Sequence, residues 1–396
     1  MRSIEYEPRN VKEILTEMKD TSELMVDLAY SAILFKNPEI AQEVRELEER
    51  MNVLVYHARI GLMLAARNTE DAEQLAGVFQ IVDAAEKIAN AATDIALILV
   101  DGLGVPDEMR QALPEAQEAI LRAEVGDTSP LANTTLGDQN LETETGVHVI
   151  AIRRDNEWLL DPGRDTQLSR GDVILGEGPP DGVDAVHEMA TGAALVRDDA
   201  DVPRIAGIDR AVAAIVDMKN LSELAVGLAY AAALLDDETV ASEVQALEAD
   251  TDGLMRDLEV WVLESAQDVD DPRELRGLIH LAISSEVITD AARDMADAVL
   301  RDVDVHPVFE QAVEESNEVI ATVEVEEESA LDGATLGDRE VETDTGMHVM
   351  AVRRGSDWVF SPTATTPLGH GDVVIARGTR AGAERLRGLA TTGGGA

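Results

Sequence analysis

The sequence repeats itself with an offset of 200 residues, and this repeat restricts the fold more than any other feature. Residues 18–30 align without a gap with residues 218–230 and are identical at nine of thirteen positions. Residues 135–154 align in the same way with residues 335–354, at thirteen of twenty. A single register over such distant stretches indicates tandem copies of one structural unit. The sequence therefore predicts an internal duplication, with residues 1–200 and 201–396 as the two copies.

The first part of each copy has the periodicity of helices. The first helix shows the i, i+3, i+4, i+7 spacing of an apolar stripe at Val11, Ile14, Leu15 and Met18. Asn37-Pro38 ends this helix and begins the second, and Thr69 is expected to cap the third. A fourth helix is predicted to run to about Glu124. The second copy reads likewise, with a break near Asp271-Pro272. Short connections between long amphipathic helices indicate antiparallel bundles.

The second part of each copy changes to the periodicity of strands. A strand is predicted over 146–154, followed by a hairpin turn at Asp155-Asn156 and a return strand over 158–160. A third strand over 173–175 and a short helix over about 181–195 complete the unit. The predicted fold class is α+β and multidomain, with two helical bundles alternating with two small α+β domains.

The chain is strongly acidic along its whole length. There are 79 acidic and 32 basic residues, which gives a formal net charge of −47. So many like charges repel each other, and roughly 1 M salt, with a screening length of about 3 Å, removes most of that repulsion. The pattern is typical of a protein from a halophile. It argues against a nucleic-acid partner, which requires basic patches.

Several classes of protein do not fit this sequence. The absence of cysteine excludes disulfides, zinc–thiolate sites and cysteine nucleophiles. The most apolar short run, residues 95–100, is far shorter than the roughly 20 residues that a membrane span needs. We find neither a signal peptide nor a nucleophile elbow, triad or P-loop. We therefore expect a cytoplasmic protein that is not an enzyme and does not insert into a membrane.

The α+β part resembles the TrkA-C, or RCK-C, family of potassium-conductance regulators. The family pattern is an ordered set of short motifs, here Thr135–Asp138, Gly146, Ile152–Arg154, Pro162 and Gly171–Val173. The whole set recurs in the second copy, from Thr335 to Val373. The regulators of this family that carry a Rossmann domain have a dinucleotide motif, which we do not find here. We therefore do not expect this chain to bind NAD, and no cofactor is expected.

The helical part is similar to PhoU-like domains. The stretch Glu86–Ala96 matches the family's third-helix signature, and Glu286–Ala296 is a looser copy. The combination resembles archaeal PhoU/TrkA-C fusion proteins, and it implies four domains. The expected domains are 1–125 (PhoU-like), 126–200 (TrkA-C-like), 201–325 (PhoU-like) and 326–396 (TrkA-C-like).

The TrkA-C resemblance implies a ligand cleft where two such domains pair, and in some members the ligand is cyclic di-AMP. The matching positions are Ile152, Arg153, Arg154, Pro162, Val352, Arg353, Arg354 and Pro362. We predict that the two domains of one chain pair in this way. The arginines fit phosphate, but they equally fit ion pairs with acids such as Asp155 or Glu157. His148 and His348 are expected to be structural hydrogen-bonding groups or ligand contacts.

The PhoU-like resemblance raises the question of metal, since some members bind iron or zinc clusters through acid pairs. Weak candidate ligands are Glu86, Asp94, Glu286, Asp290 and Asp294. The pattern is incomplete, because position 90 is Asn and the pair Glu23/Asp27 becomes Glu223/Gly227. A solvated acidic helix face explains the same residues, and we expect no bound metal.

These resemblances imply a cytoplasmic regulator of ion transport, with potassium as the expected ion. It would sense a small nucleotide-type ligand and act on a membrane cation transporter or channel, as a monomer or a homodimer. Two alternatives stay open. One is a non-catalytic adaptor or phosphate-signalling protein that acts through its PhoU-like helices, and the other is a metal-binding regulator.

Overall fold

The computed structural model describes residues 9–105, 119–195, 206–300 and 318–392, apart from residues 156, 161, 236, 268, 270–274, 356 and 361. The first half begins with three long helices, α1 (Val11–Leu34), α2 (Pro38–Ala65) and α3 (Thr69–Val100). They are followed by β1 (Ala119–Glu124), α4 (Leu136–Gln139), α5 (Leu141–Thr145), β2 (His148–Arg154), β3 (Glu157–Leu160), β4 (Val173–Gly178) and α6 (Pro180–Thr191).

The second half has the same order of elements, except that residues 336–339 form a turn where the first half has the short helix α4. Its long helices are α7 (Ala206–Leu235), α8 (Glu238–Ser265) and α9 (Arg276–Leu300). They are followed by β5 (Glu318–Glu324), α10 (Val341–Thr345), β6 (Met347–Arg354), β7 (Asp357–Phe360), β8 (Asp372–Thr379) and α11 (Arg380–Ala390). The predicted α+β fold class is confirmed. Every helix in the ranges that the structure describes is too short or too polar to cross a membrane.

The helix boundaries follow from local chemistry. Asn37 caps α2, because its side chain accepts hydrogen bonds from the amides of Glu39 and Ile40, as Asp237 does for α8. Helix α3 begins at Thr69 itself, so the expectation that Thr69 caps it is wrong by one position. The break between α8 and α9 lies between residues 265 and 276, while Asp271-Pro272 lies outside the described residues.

Each half contains one four-stranded antiparallel sheet. The strand order is β1-β4-β2-β3 in the first and β5-β8-β6-β7 in the second. The prediction that a fourth helix runs to about Glu124 is wrong, because Ala119–Glu124 is strand β1 and pairs with β4. Its residues alternate between the two sheet faces, with Leu121 and Ala123 buried beneath α6. The earlier part of that predicted helix lies outside the described residues.

The two sheets are covered on both faces. On one face, residues such as Ala151 and Leu175 join the core of the helical bundles, and on the other face Ile174 packs with α6. The second sheet is arranged in the same way, between its bundle and α11. The predicted pairing of the two α+β domains is not seen, since the described strands of one sheet do not pack extensively on those of the other. With both faces covered, neither sheet offers a face to the other.

The two bundles pack on each other through equivalent helices. Helix α3 lies against α9, and α1 crosses α7. At the crossing, the buried Tyr30 hydroxyl hydrogen-bonds to Ser285 at 2.6 Å and donates to Ser222 at 3.4 Å. Tyr230 and Ser22 make the reciprocal hydrogen bond at 2.9 Å. The helices of both halves therefore form one continuous core.

Candidate functional site

The predicted ligand residue Arg153 joins the first sheet to the first bundle. It lies on the sheet face that meets α2, and its guanidinium holds Glu43 in a fork. Arg153 Nε donates to Glu43 Oε2 at 2.6 Å, and Nη2 donates to Oε1 at 2.8 Å. Arg122 of β1 donates to the same carboxylate at 3.0 Å. The Glu43 side chain is only 2% exposed, so this is a buried charge cluster at a domain junction.

The second half repeats this ion pair with one arginine fewer. Arg353 Nε and Nη2 donate to the two oxygens of Glu243 at 2.8 and 2.9 Å. The position equivalent to Arg122 is Thr322, whose hydroxyl is buried without a hydrogen-bond partner among the described residues. The hydrogen bond to the glutamate raises the pKa of Arg153 and of Arg353, so both arginines stay charged.

Arg154 and Arg354 have a different role from their neighbours. Each is paired with an aspartate at the start of the last strand of its sheet. Arg154 Nη2 donates to Asp172, just before β4, at 2.7 Å, and Arg354 Nη2 donates to Asp372, the first residue of β8, at 2.7 Å. Burial tends to raise the pKa of Asp372, but the hydrogen bonds from Arg354 and the Gly369 amide outweigh it and lower that pKa. These pairs fasten the hairpin to the turn before the last strand.

The other predicted ligand residues lie away from the arginine side chains. Ile152 and Val352 are buried in the layer beneath α6 and α11. Pro162 lines a narrow cavity of about 90 Å³ with His148 and Arg164, and Arg153 is not part of its wall. The structure therefore brings Arg153 and Arg353 to the bundles and does not bring the eight predicted positions together.

The two histidines are exposed on their strands. His348 Nδ1 lies 3.1 Å from Glu342, which fits the structural interpretation.

The candidate metal ligands lie among ion pairs on the helices. Glu86 accepts from Arg59 at 2.7 Å, and Asp294 accepts from Lys87 at 2.8 Å across the α3–α9 contact. Asp290 lies 3.4 Å from Arg293. Within the described ranges, no group of three or more acidic or histidine side chains is arranged to hold a metal ion.

A second set of charged residues lies where α1 crosses α7, and the sequence named its acids only as an incomplete metal-binding pair. Burial first, and then the negative charge of Glu223, raise the pKa of Asp27 well above its usual value. Lys219 Nζ donates to Glu223 at 2.6 Å. The identity of Glu23 with Glu223 and of Lys19 with Lys219 was the available signal. Sequence alone could not place residues from the two halves side by side.

Comparison with known families identifies three domains. Residues 120–191 and 320–390 match the TrkA-C domain, and residues 15–99 match the PhoU domain. The TrkA-C prediction is thus confirmed in both halves and the PhoU prediction in the first. Both are regulatory, non-catalytic domain families.

Among solved structures, the chain is similar to PhoU from Pseudomonas aeruginosa, at 15% identity over 73% of this chain and 93% of that one, with a TM-score of 0.44. It is also similar to the GsuK RCK domain, at 13% identity over 68% of this chain and 63% of that one (TM-score 0.19). A third similar structure is the GsuK channel bound to NAD, at 13% identity over 69% and 52% (TM-score 0.19).

Proposed function

We propose that this chain, with two TrkA-C domains and a PhoU domain, is a cytoplasmic, non-enzymatic regulator of ion transport, with potassium as the expected ion. A small ligand would bind the TrkA-C domains, and the helical bundles would relay the signal to a membrane cation transporter or channel. The near-equivalence of the two halves in sequence and element order supports an origin by duplication. We retain the four-domain division proposed from the sequence, with β1 and β5 counted in the α+β domains.

One observation carries the relay part of the proposal. In each half, the strand-end arginine expected to contact a ligand is held by a glutamate of α2 or α8, and the two partners are 110 residues apart in both cases. An anionic ligand that engages Arg153 or Arg353 has to compete with that glutamate. Ligand binding would therefore loosen the contact between sheet and bundle, and this is a direct physical link between a ligand and the helices.

The proposed ligand is nucleotide-like, with cyclic di-AMP as the first compound to test. The guanidinium fork fits phosphate as well as it fits carboxylate. The proposed contacts are the main chain and arginines at Ile152–Arg154 and Val352–Arg354, with the turns at Pro162 and Pro362. Because the arginines lie in separate sheets, we expect each TrkA-C domain to bind by itself or with a second chain in a homodimer.

The test is calorimetry with cyclic di-AMP on the full chain in molar KCl. Each charge-assisted contact contributes about 1.5–3 kcal/mol, so Arg153→Ala with Arg353→Ala, which removes one arginine from each domain, should weaken binding by about 10- to 100-fold. Arg170→Ala is the matched control, because Arg170 is an exposed arginine of the same domain that pairs with Asp127. The absence of heat and of a thermal shift with the wild type would rule out this ligand.

A specific observation also favours the adaptor alternative. Helices α8 and α9 expose the apolar side chains of Val260, Leu263, Ile283 and Val287. The first half has Asp83 and Lys87 in the positions of Ile283 and Val287.

Potassium and phosphate uptake in cells with and without this protein separate the two functions. A change in potassium uptake alone supports the transport regulator, and a change in phosphate response alone supports the adaptor.

A further inference from the structure

A cavity of about 270 Å³ lies where the crossing of α1 and α7 meets the second sheet. Helix α1 contributes Glu23 and Asp27 to its wall, α7 contributes Glu223, and the sheet contributes Arg377. At about 30 Å³ for each water, the cavity has room for about nine waters or for one small organic molecule. Arg353, the residue of the proposed nucleotide site, does not line it.

The helical wall of the cavity contains a carboxylate oxygen that lacks a donor. Glu223 Oε2 accepts from Lys219, but Oε1 is buried and has no hydrogen-bond partner among the described residues. The Asp27 carboxyl lies near Glu223 on the same wall, and burial, followed by the negative charge of Glu223, raises the pKa of Asp27. An ammonium group suits these two carboxyls, because it brings both a positive charge and several N–H donors.

The sheet wall of the cavity has the opposite charge. Arg377 of β8 lies directly across from His348 of β6, and both line the cavity. Met350 and Phe360 add apolar surface to the same wall. A cavity with carboxyl groups on one wall, a guanidinium on another and apolar surface beside them matches a molecule that has an ammonium, a carboxylate and a short apolar part.

The cavity depends on residues that differ between the halves. Position 227 is Gly where the first half has Asp27, and position 377 is Arg where the first half has Glu177. A Cβ on Gly227 would lie 3.6 Å from Glu23 Oε1 and 3.9 Å from Met350 Cε, so a side chain can be built into the cavity without a backbone clash. The glycine therefore leaves open the space that a larger residue would take.

We propose that this cavity binds a small zwitterion of the α-amino acid class, with its ammonium group on the Asp27 and Glu223 carboxyls and its carboxylate on Arg377. The ligand would bridge helices of both halves and the second sheet. The ammonium group would favour the ionised form of Asp27, so affinity should increase as pH rises through the raised pKa of Asp27. The other charged or titratable groups that face this pair or the cavity are Lys19, Glu23, Lys219, Glu177, His348 and Arg377.

The first experiment is a thermal-shift and calorimetric titration of the full chain with L-alanine and L-leucine in molar KCl. We expect an amino acid to raise the melting temperature, whereas propylamine and propionate, which carry one charge each, should not do so at equal concentration. Calorimetry in buffers with different ionisation enthalpies should show proton release on binding at pH values below the raised pKa of Asp27, and none above it. A shift with propylamine alone would overturn the zwitterion assignment, and no shift with either amino acid would overturn the site.

The second experiment fills the cavity. Gly227→Leu should weaken amino acid binding at least about tenfold, as the loss of one charge-assisted contact would. Gly253→Leu is the matched control, since it lies in helix α8 with nothing near its added Cβ. Glu223→Gln should weaken binding similarly, and it should move the proton release to lower pH, because the charge of Glu223 adds to the burial that raises the pKa of Asp27. If Gly227→Leu folds and binds like the wild type, the cavity is not the site. Cyclic di-AMP binding to Gly227→Leu tests the nucleotide proposal separately.

Discussion

Neutralising Glu43 is the change that tests most directly how the sheets are held to the bundles. In Glu43→Gln the side chain keeps its size but loses its charge, and it leaves Arg122 and Arg153 without their shared counter-ion. In Glu243→Gln, the matched variant of the second half, only Arg353 loses its partner. The two halves therefore provide the same substitution at a junction with two arginines and at a junction with one.

The expected magnitudes follow from the hydrogen bonds of each carboxylate. Glu43 accepts three arginine hydrogen bonds, at 2.6, 2.8 and 3.0 Å, and Glu243 accepts two, at 2.8 and 2.9 Å. Breaking a buried ion pair costs about 3–5 kcal/mol. The Arg153 side chain is 20% exposed, so we expect the lower end, about 3 kcal/mol. Glu243 is more exposed and lacks the second arginine, so we expect about 1.5 kcal/mol there.

The assay is hydrogen exchange followed by mass spectrometry in molar KCl, which measures local opening of each sheet separately. At 1.4 kcal/mol per tenfold, exchange of peptides from β1 and β2 should be about 100-fold faster in Glu43→Gln. Peptides from β5 and β6 should exchange about tenfold faster in Glu243→Gln. Equal effects of the two variants, or an effect below about threefold in Glu43→Gln, would refute the view that this cluster holds the sheet in place.

Three further predictions concern stability. Tyr30→Phe should lower the free energy of unfolding by about 1 kcal/mol. The loss should be larger than in Tyr230→Phe, because the Tyr30 hydroxyl has two hydrogen-bond partners and the Tyr230 hydroxyl has one. Urea titration of both variants measures this difference. The chain should be stable in molar KCl and expand or unfold in 50 mM salt, because its net charge is −47. The measurement is the melting point by circular dichroism at both salt concentrations, and an unchanged melting point would disprove the prediction. Asp27 has a folded-state pKa above its ordinary 3.8, so its ionisation weakens the fold progressively as pH rises above 3.8, and the effect is complete once pH exceeds the raised value. Asp27→Asn should therefore stabilise the chain near neutral pH, and the gain should vanish below about pH 3.8; a gain that is constant with pH would contradict this.

Local features of the sequence were sufficient to predict much of the fold. Asn37-Pro38 marks the start of α2 because both residues act on the first turn of the helix. The hairpin turns are confirmed as well, since Asp155 and Gly355 have φ angles of 54° and 62°, which such turns require. The ordered TrkA-C motifs were informative because they occur twice in the same register.

Features that depend on distant residues could not be predicted in the same way. Strand β1 has only six residues, and an apolar pattern so short fits a helix as well as a strand. Its pairing with β4, about 50 residues later, decides the outcome. The acid partner of Arg153 was expected nearby, at Asp155 or Glu157, but the structure places Glu43 there. A signal did exist, because Glu43 and Glu243 occupy equivalent positions in the two copies.

The crossing of α1 and α7 has a consequence for the isolated halves. Ser22 and Tyr30 are both present in the first half, and their equivalents Ser222 and Tyr230 are both present in the second. A separately expressed first half therefore carries both members of each reciprocal hydrogen bond. Two such molecules could satisfy each other about a true two-fold axis, and we expect residues 1–200 to self-associate into a homodimer that competes with the native pairing of halves. The covalent linkage in the full chain suppresses this competition, because it keeps the second half at a high local concentration that another molecule has to match.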